Sequence, residues 1–169
     1  MASTILTDAA EALLSSAVGE APPVVITHVA IGDGGGVAYE PSFTRTTLKR
    51  ELARLPIDSR TKLTNNSWRV KVKFPPTGTQ IDVREIGFFD ANNVLIALWG
   101  GADVVARQAG IIDYTVVHVL DFSRVAENLI IVDGPNDEYD EFIMAQTANN
   151  FLLMEEQLRQ GMALAALSK

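Results

Sequence analysis

The clearest periodicity in the chain lies at residues 67–74, where Trp68, Val70, Val72 and Phe74 alternate with Arg69, Lys71 and Lys73. Alternation at period two sends the apolar side chains to one face and the cations to the other, which predicts a strand with a core face and a wet, basic face. A second run, Val24-Val25-Ile26-Thr27-His28-Val29-Ala30-Ile31, is short, β-branched and nearly continuous in apolarity, and it closes on Gly32-Asp33-Gly34-Gly35-Gly36. That pattern predicts a strand buried on both faces, entering a flexible loop. Apolar runs at 81–89 and 94–99 flank Asp90-Ala91-Asn92-Asn93, residues that tolerate left-handed backbone, so this stretch reads as a β-hairpin. Runs at 111–122 and 129–132, separated by the polar stretch 123–128, supply the last strands.

Helical spacing appears at both ends. Thr7 or Asp8 caps a helix reaching Val18, with Ala9, Ala12, Leu13 and Ala17 along one side and Gly19 and Pro22-Pro23 as the stop. Over 44–57 two readings stay open. Leu48, Leu52 and Leu55 have helical spacing, whereas Pro56 and the many Thr and Arg residues suit an edge strand. After the breaker cluster Asp133-Gly134-Pro135-Asn136 no strand pattern follows. The remainder has no Pro and only Gly161, and it opens on Asp137, Glu138, Asp140 and Glu141, acids that favour the positive end of a helix dipole. Roughly thirty helical residues make a rod of about 45 Å. The fold class expected is α+β: an N-terminal helix packed on a mostly antiparallel sheet of six or seven strands, followed by a long C-terminal helix. The corresponding domains are 1–133 and 134–169.

In the terminal helix Met144, Phe151, Leu158 and Ala165 recur every seven residues, and Thr147, Ala148, Met154 and Met162 lie three or four positions off that line. Such a stripe either packs on its own domain or forms a short, imperfect coiled-coil seam. Its place behind a Gly-Pro breaker at the end of the chain favours self-association. The oligomerisation residues are then Met144, Ala148, Phe151, Met154, Leu158 and Met162.

Composition narrows the partners. A net charge of -7 works against a broad phosphate-binding surface, which excludes nucleic acid as the expected partner. Within this acidic chain, Arg45, Lys49, Arg50 and Arg54 precede the basic strand face. The cations are either simply solvated or a docking patch for an acidic partner, with Arg45, Arg50, Lys71 and Lys73 as its candidate contacts. Without cysteine there is no disulfide framework and no thiolate metal site. No run of about 18 apolar residues and no basic, then apolar N-terminus occurs, so neither membrane insertion nor a signal peptide is expected, and synthesis in the cytoplasm is the default.

Candidate chemistry is sparse. The glycine loop lacks the Lys-Ser/Thr ending of a phosphate loop and does not open a helix. His28 and His118 lie inside apolar strands without a third organised ligand, which makes a poor metal site and favours satisfied core or edge histidines. Asp82, Glu85 and Asp90 suit turn and edge roles better than a catalytic carboxylate pair. No nucleophile elbow, zinc-protease helix or calcium loop occurs, so neither an enzyme nor a cofactor or metal is expected.

Three segments carry a resemblance: Ile5-Leu6-Thr7-Asp8-Ala9, Thr27-His28-Val29-Ala30-Ile31-Gly32-Asp33-Gly34, and Arg84-Glu85-Ile86-Gly87-Phe88-Phe89-Asp90-Ala91 continued by Val94-Leu95-Ile96-Ala97. Their order and spacing, over about residues 4 to 132, resemble the N-terminal domain of phage tail-collar fibre proteins. The resemblance implies a structural, non-catalytic, usually trimeric domain that docks a side fibre on the baseplate of a contractile tail, hence a virion tail protein made in the host cytoplasm. Gly87 would let a neighbouring backbone approach, and Phe88-Phe89 would point one ring inward and one outward. Fibres of this family continue into a shaft and receptor-binding tip, whereas this chain stops after one helix. A reduced fibre, or an adaptor joined by that helix to another fibre chain, is therefore expected; the alternative is a carbohydrate-binding module acting on the host surface, with Trp68 and Trp99 as its aromatic candidates.

Overall fold

The computed structural model describes residues 3–16, 24–122 and 124–167. From the N-terminus these form β1 (Ser3–Leu6), α1 (Asp8–Ser16), β2 (Val24–Gly32), β3 (Glu51–Pro56), β4 (Ser59–Thr64), β5 (Ser67–Phe74), β6 (Ile81–Val83), β7 (Glu85–Asp90), β8 (Leu95–Gly100), β9 (Arg107–Ala109), β10 (Tyr114–Asp121), β11 (Ile130–Val132) and α2 (Glu138–Leu167). The class is α+β with mostly antiparallel pairing; β11 on β2 is parallel. The chain divides into two compact units, Met1–Pro135 and Asn136–Lys169.

In the first unit a six-stranded sheet runs β1-β8-β7-β2-β11, with β3 also on β2, and a three-stranded sheet runs β10-β5-β4. The inner faces of the two sheets share one core. Val29, Ile31, Ile86, Phe88 and Ile96 from the larger sheet meet Trp68, Val70, Val72, Phe74, Val116 and Leu120 from the smaller, and Ala10 and Leu14 of α1 join them. The period-two reading of β5 holds residue by residue: its apolar members are buried, while Lys71 and Lys73 are exposed. A second, smaller core of Ala30, Leu48, Phe89, Leu95 and Leu98 occupies the other side of the large sheet.

Several local expectations are met, and others are corrected. Thr7 caps α1 by accepting from the Ala10 amide at 3.2 Å, and the expected helix end at Val18, Gly19 and Pro22-Pro23 lies outside the described residues. The hairpin at 90–93 forms as read: Asp90 accepts from the Asn92 and Val94 amides, and Asn93 takes φ 65°. The open choice over 44–57 resolves to a loop followed by β3, because Pro56 ends a strand whose register lies along β2. The described residues form eleven strands, more than the six or seven expected. β1, β4 and β9 are short or polar, and their pairing comes from distant strands and not from their own periodicity. Residues 111–113, read as strand, precede β10, and Ile111 and Ile112 are exposed.

The second unit contains α2, 30 residues whose first turn is helped by Asp137 accepting from the Tyr139 amide at 3.2 Å.

Candidate functional site

The two family-like motifs meet in the middle of the large sheet. β2 and β7 pair antiparallel with Gly32 opposite Glu85 and Ala30 opposite Gly87. Strand alternation puts Gly32, Glu85 and Gly87 on the face of the second core, beneath the chain between β2 and β3. Glu85 is fully buried there, and its carboxylate is saturated. Oε1 accepts from the Gly34 and Arg50 amides at 3.2 and 2.9 Å; Oε2 accepts from the Lys49 amide at 2.9 Å and from the Tyr39 hydroxyl. A buried carboxylate is tolerated only with such a set of donors. All four donors, three backbone amides and one hydroxyl, belong to the connecting loop, so Glu85 acts as its anchor.

The glycines make the anchor possible. A Cβ at Gly32 would lie 2.5 Å from both the Arg50 carbonyl oxygen and Glu85 Oε1. At Gly87 it would lie 2.8 Å from the Phe89 ring and 2.9 Å from Leu48 Cδ2. The close backbone approach expected at Gly87 therefore occurs at Gly32, and Gly87 instead admits side chains of the loop and sheet. Both Phe88 and Phe89 are fully buried, one in each core, which corrects the outward-pointing ring; Phe89 is covered by the Arg54 guanidinium 3.5 Å from its centroid.

Beside the anchor, Asp33 caps the single 3₁₀ turn Gly34–Gly36 by accepting from the Gly35 amide at 2.9 Å. It also accepts from Arg50 Nε at 2.7 Å and pairs with the same guanidinium at Nη2. The loop read as flexible is thus fixed at both ends. Tyr39 carries the order outward: with its hydroxyl on Glu85, its ring lies 4.9 Å from Arg45 Cζ and 5.0 Å from Lys49 Nζ. Burial, and then the hydrogen bond to Glu85, push the Tyr39 phenol well above its usual range, so it stays a donor.

Of the candidate docking residues, Arg45 and Arg50 stand on this anchored loop. Lys71 and Lys73 stand on β5 in the other sheet, where Lys73 pairs with Asp113 at 2.7 Å. On α2, Phe151, Met154, Leu158 and Met162 are exposed, as is Ala148; the Met144 side chain lies outside the described residues. Leu152 and Leu153, off the seam, are exposed as well.

His28 contacts the Thr27 hydroxyl at 2.8 Å. His118 contacts the Thr4 hydroxyl at 2.8 Å and packs against Phe88 and Trp99, with centroids at 5.2 and 6.2 Å. Burial, with the neighbouring Arg107 charge second, lowers its pKa to about 4. Among the described residues no group of three His, Asp or Glu is placed to hold a metal ion. Trp68 is buried beneath Arg60 and Lys62. Trp99 is half-buried in an open cleft of about 370 Å³ with Asp103 and Arg107, whose guanidinium lies 5.7 Å from the indole centroid.

Glu85 in its anchoring role escaped the sequence reading, which gave it an edge or turn role. The available signal was its place between Arg84 and Ile86-Gly87 in an otherwise apolar strand, since a carboxylate there must find donors.

The first unit is thus an α+β module whose large sheet carries an ordered loop bearing Arg45, Lys49 and Arg50. The family model for the N-terminal region of phage tail-collar fibre proteins matches residues 1–105, and the chain belongs to that family. It has a structural role in a phage tail fibre and is a component of the virion tail. Among curated proteins and among solved structures, nothing matches the chain.

Proposed function

We propose that the protein is a non-enzymatic short tail fibre or fibre adaptor: the first unit docks on the baseplate, and α2 joins three copies to each other and to a further fibre chain. The observation that carries the docking half is the Glu85 anchor. It spends a buried carboxylate and two motif glycines on ordering a loop whose outward groups are Arg45, Lys49 and Arg50. Pre-ordering a loop before binding removes an entropic cost from association. Cations on such a loop, with Lys71 and Lys73 on β5, suit an acidic partner surface.

The joining half is supported by the exposed Phe151, Met154, Leu158 and Met162 on α2. Each large apolar side chain gains about 1.5–3 kcal/mol on burial. Three as the number of copies rests on the family and not on the heptads.

A carbohydrate-binding role is favoured by the Trp99 cleft, yet Arg107 lies over that indole and His118 meets it edge-on, which leaves little free ring for a sugar. The test is assembly. Particles carrying Arg45→Glu with Lys49→Glu should incorporate the protein several-fold less well, with greater salt sensitivity, while the isolated protein melts normally. Normal incorporation of that variant would remove the loop from docking.

A further inference from the structure

An edge strand presents unpaired backbone N–H and C=O groups, and natural sheets blunt such edges with shortness, Pro, Lys or bulges. Among the described residues the outer strands carry these devices, with one exception. β1 has four residues; β6, β9 and β11 have three each. β3 ends on Pro56 and shifts register against β2 at Ile31/Gly32. β4 carries Arg60 and Lys62 and shifts register at Lys62/Thr64. β10 is the exception. Its eight residues, Tyr-Thr-Val-Val-His-Val-Leu-Asp, contain no Pro, Gly, Lys or Arg and pair with β5 without a shift. No other described strand lies on its far edge. Val117 and Val119, on its outer face, are 57% and 48% exposed.

The strand is also complementary to itself. Around His118 the order of side chains is symmetric in character: Val117 and Val119, then Val116 and Leu120, then Thr115 and Asp121. Laid antiparallel on a second β10 with His118 opposite His118, Val117 faces Val119 and Thr115 faces Asp121 on the outer face, while Val116 faces Leu120 on the core face. A slip of one residue would set buried positions against exposed ones. We propose that β10 is an isologous interface, in which two copies of the chain pair antiparallel about His118 and join their three-stranded sheets into one of six strands. The histidines at the axis are each committed to Thr4 and Phe88 of their own chain and carry no charge at neutral pH, so the axis holds no like-charge pair. This pairing does not depend on α2.

The absence of cysteine makes a register test clean. Full-length Val117→Cys and Val119→Cys proteins, mixed in equal amounts and gently oxidised, should form the mixed disulfide about tenfold faster than either homodimer. Homodimers forming at the same rate, or no cross-link at all, would overturn the proposal. Unmodified protein gives a second reading: β10 amides not bonded to β5 should exchange more slowly as concentration rises, and exchange that is fast and independent of concentration would count equally against it.

Discussion

Gly32 lies opposite Glu85, and the space that a side chain at 32 would fill is already taken by the Glu85 carboxylate and the Arg50 carbonyl. A Gly32→Ala Cβ would sit 2.5 Å from backbone, which cannot yield as a side-chain end can. At Gly87 the nearest atoms belong to the Phe89 and Leu48 side chains, at 2.8 and 2.9 Å. Gly32→Ala should therefore cost more than Gly87→Ala, with overpacking of about 1–3 kcal/mol at position 87 and more at 32. Urea midpoints of the two variants check the order; equal midpoints would show that the loop gives way freely.

Glu85→Gln replaces a full acceptor by a group with one donor end. The four donors now meeting the carboxylate are two on each oxygen, so the amide end leaves two without an acceptor. Each buried group left unpaired costs about 1–3 kcal/mol. The expected outcome is a destabilisation of several kcal/mol, accompanied by faster proteolysis within residues 37–50. A stability loss with the loop still protected would place the role of Glu85 in the sheet alone.

How much of this was legible in the sequence follows from what each residue needs. β5 and the 90–93 hairpin were readable because their signals are local: alternation in one case, Asp and Asn at a turn in the other. β1 and β4 were not, since their partners β8 and β5 decide them. The anchor was hidden for the same reason. Nothing near Glu85 in sequence announces that Lys49 and Arg50, 35 or 36 residues earlier, will donate to it. The docking candidates Arg45 and Arg50 were readable as charge, but the Tyr39 platform that orients Arg45 was not.

His118 makes stability depend on acid. Its folded pKa is about 4, against 6.5 for the unperturbed group, so the unfolded chain binds this proton more readily. The contribution is fully present above about pH 6.5, falls as pH drops from 6.5 towards 4, and is exhausted below. The full loss is on the order of 3 kcal/mol. A His118→Gln variant, starting from its own stability at pH 7, should lose less on going to pH 4.5 than the unaltered protein, as read by chemical denaturation at both pH values. Parallel losses would assign the acid sensitivity to the carboxylates.

The reading of α2 as a joint depends on what covers its apolar residues. Phe151 and Leu158 lie seven residues apart and are 67% and 65% exposed, and Met154 and Met162 are exposed beside them. Burial of such side chains at about 1.5–3 kcal/mol each is enough to drive association at micromolar concentration. Phe151→Asp together with Leu158→Asp would place two charges in every seam, so the three-copy species should disappear while the first unit stays folded. Sedimentation is best compared in a Val117→Lys, Val119→Lys background, which removes pairing through β10 and leaves α2 as the source of self-association. There the parent should sediment as a trimer and the double aspartate variant as a monomer. A monomeric parent would move the cause of trimer formation to the baseplate or the next fibre chain, and loss of the first unit's cooperative melt in the aspartate variant would show that α2 supports that unit and does not join copies.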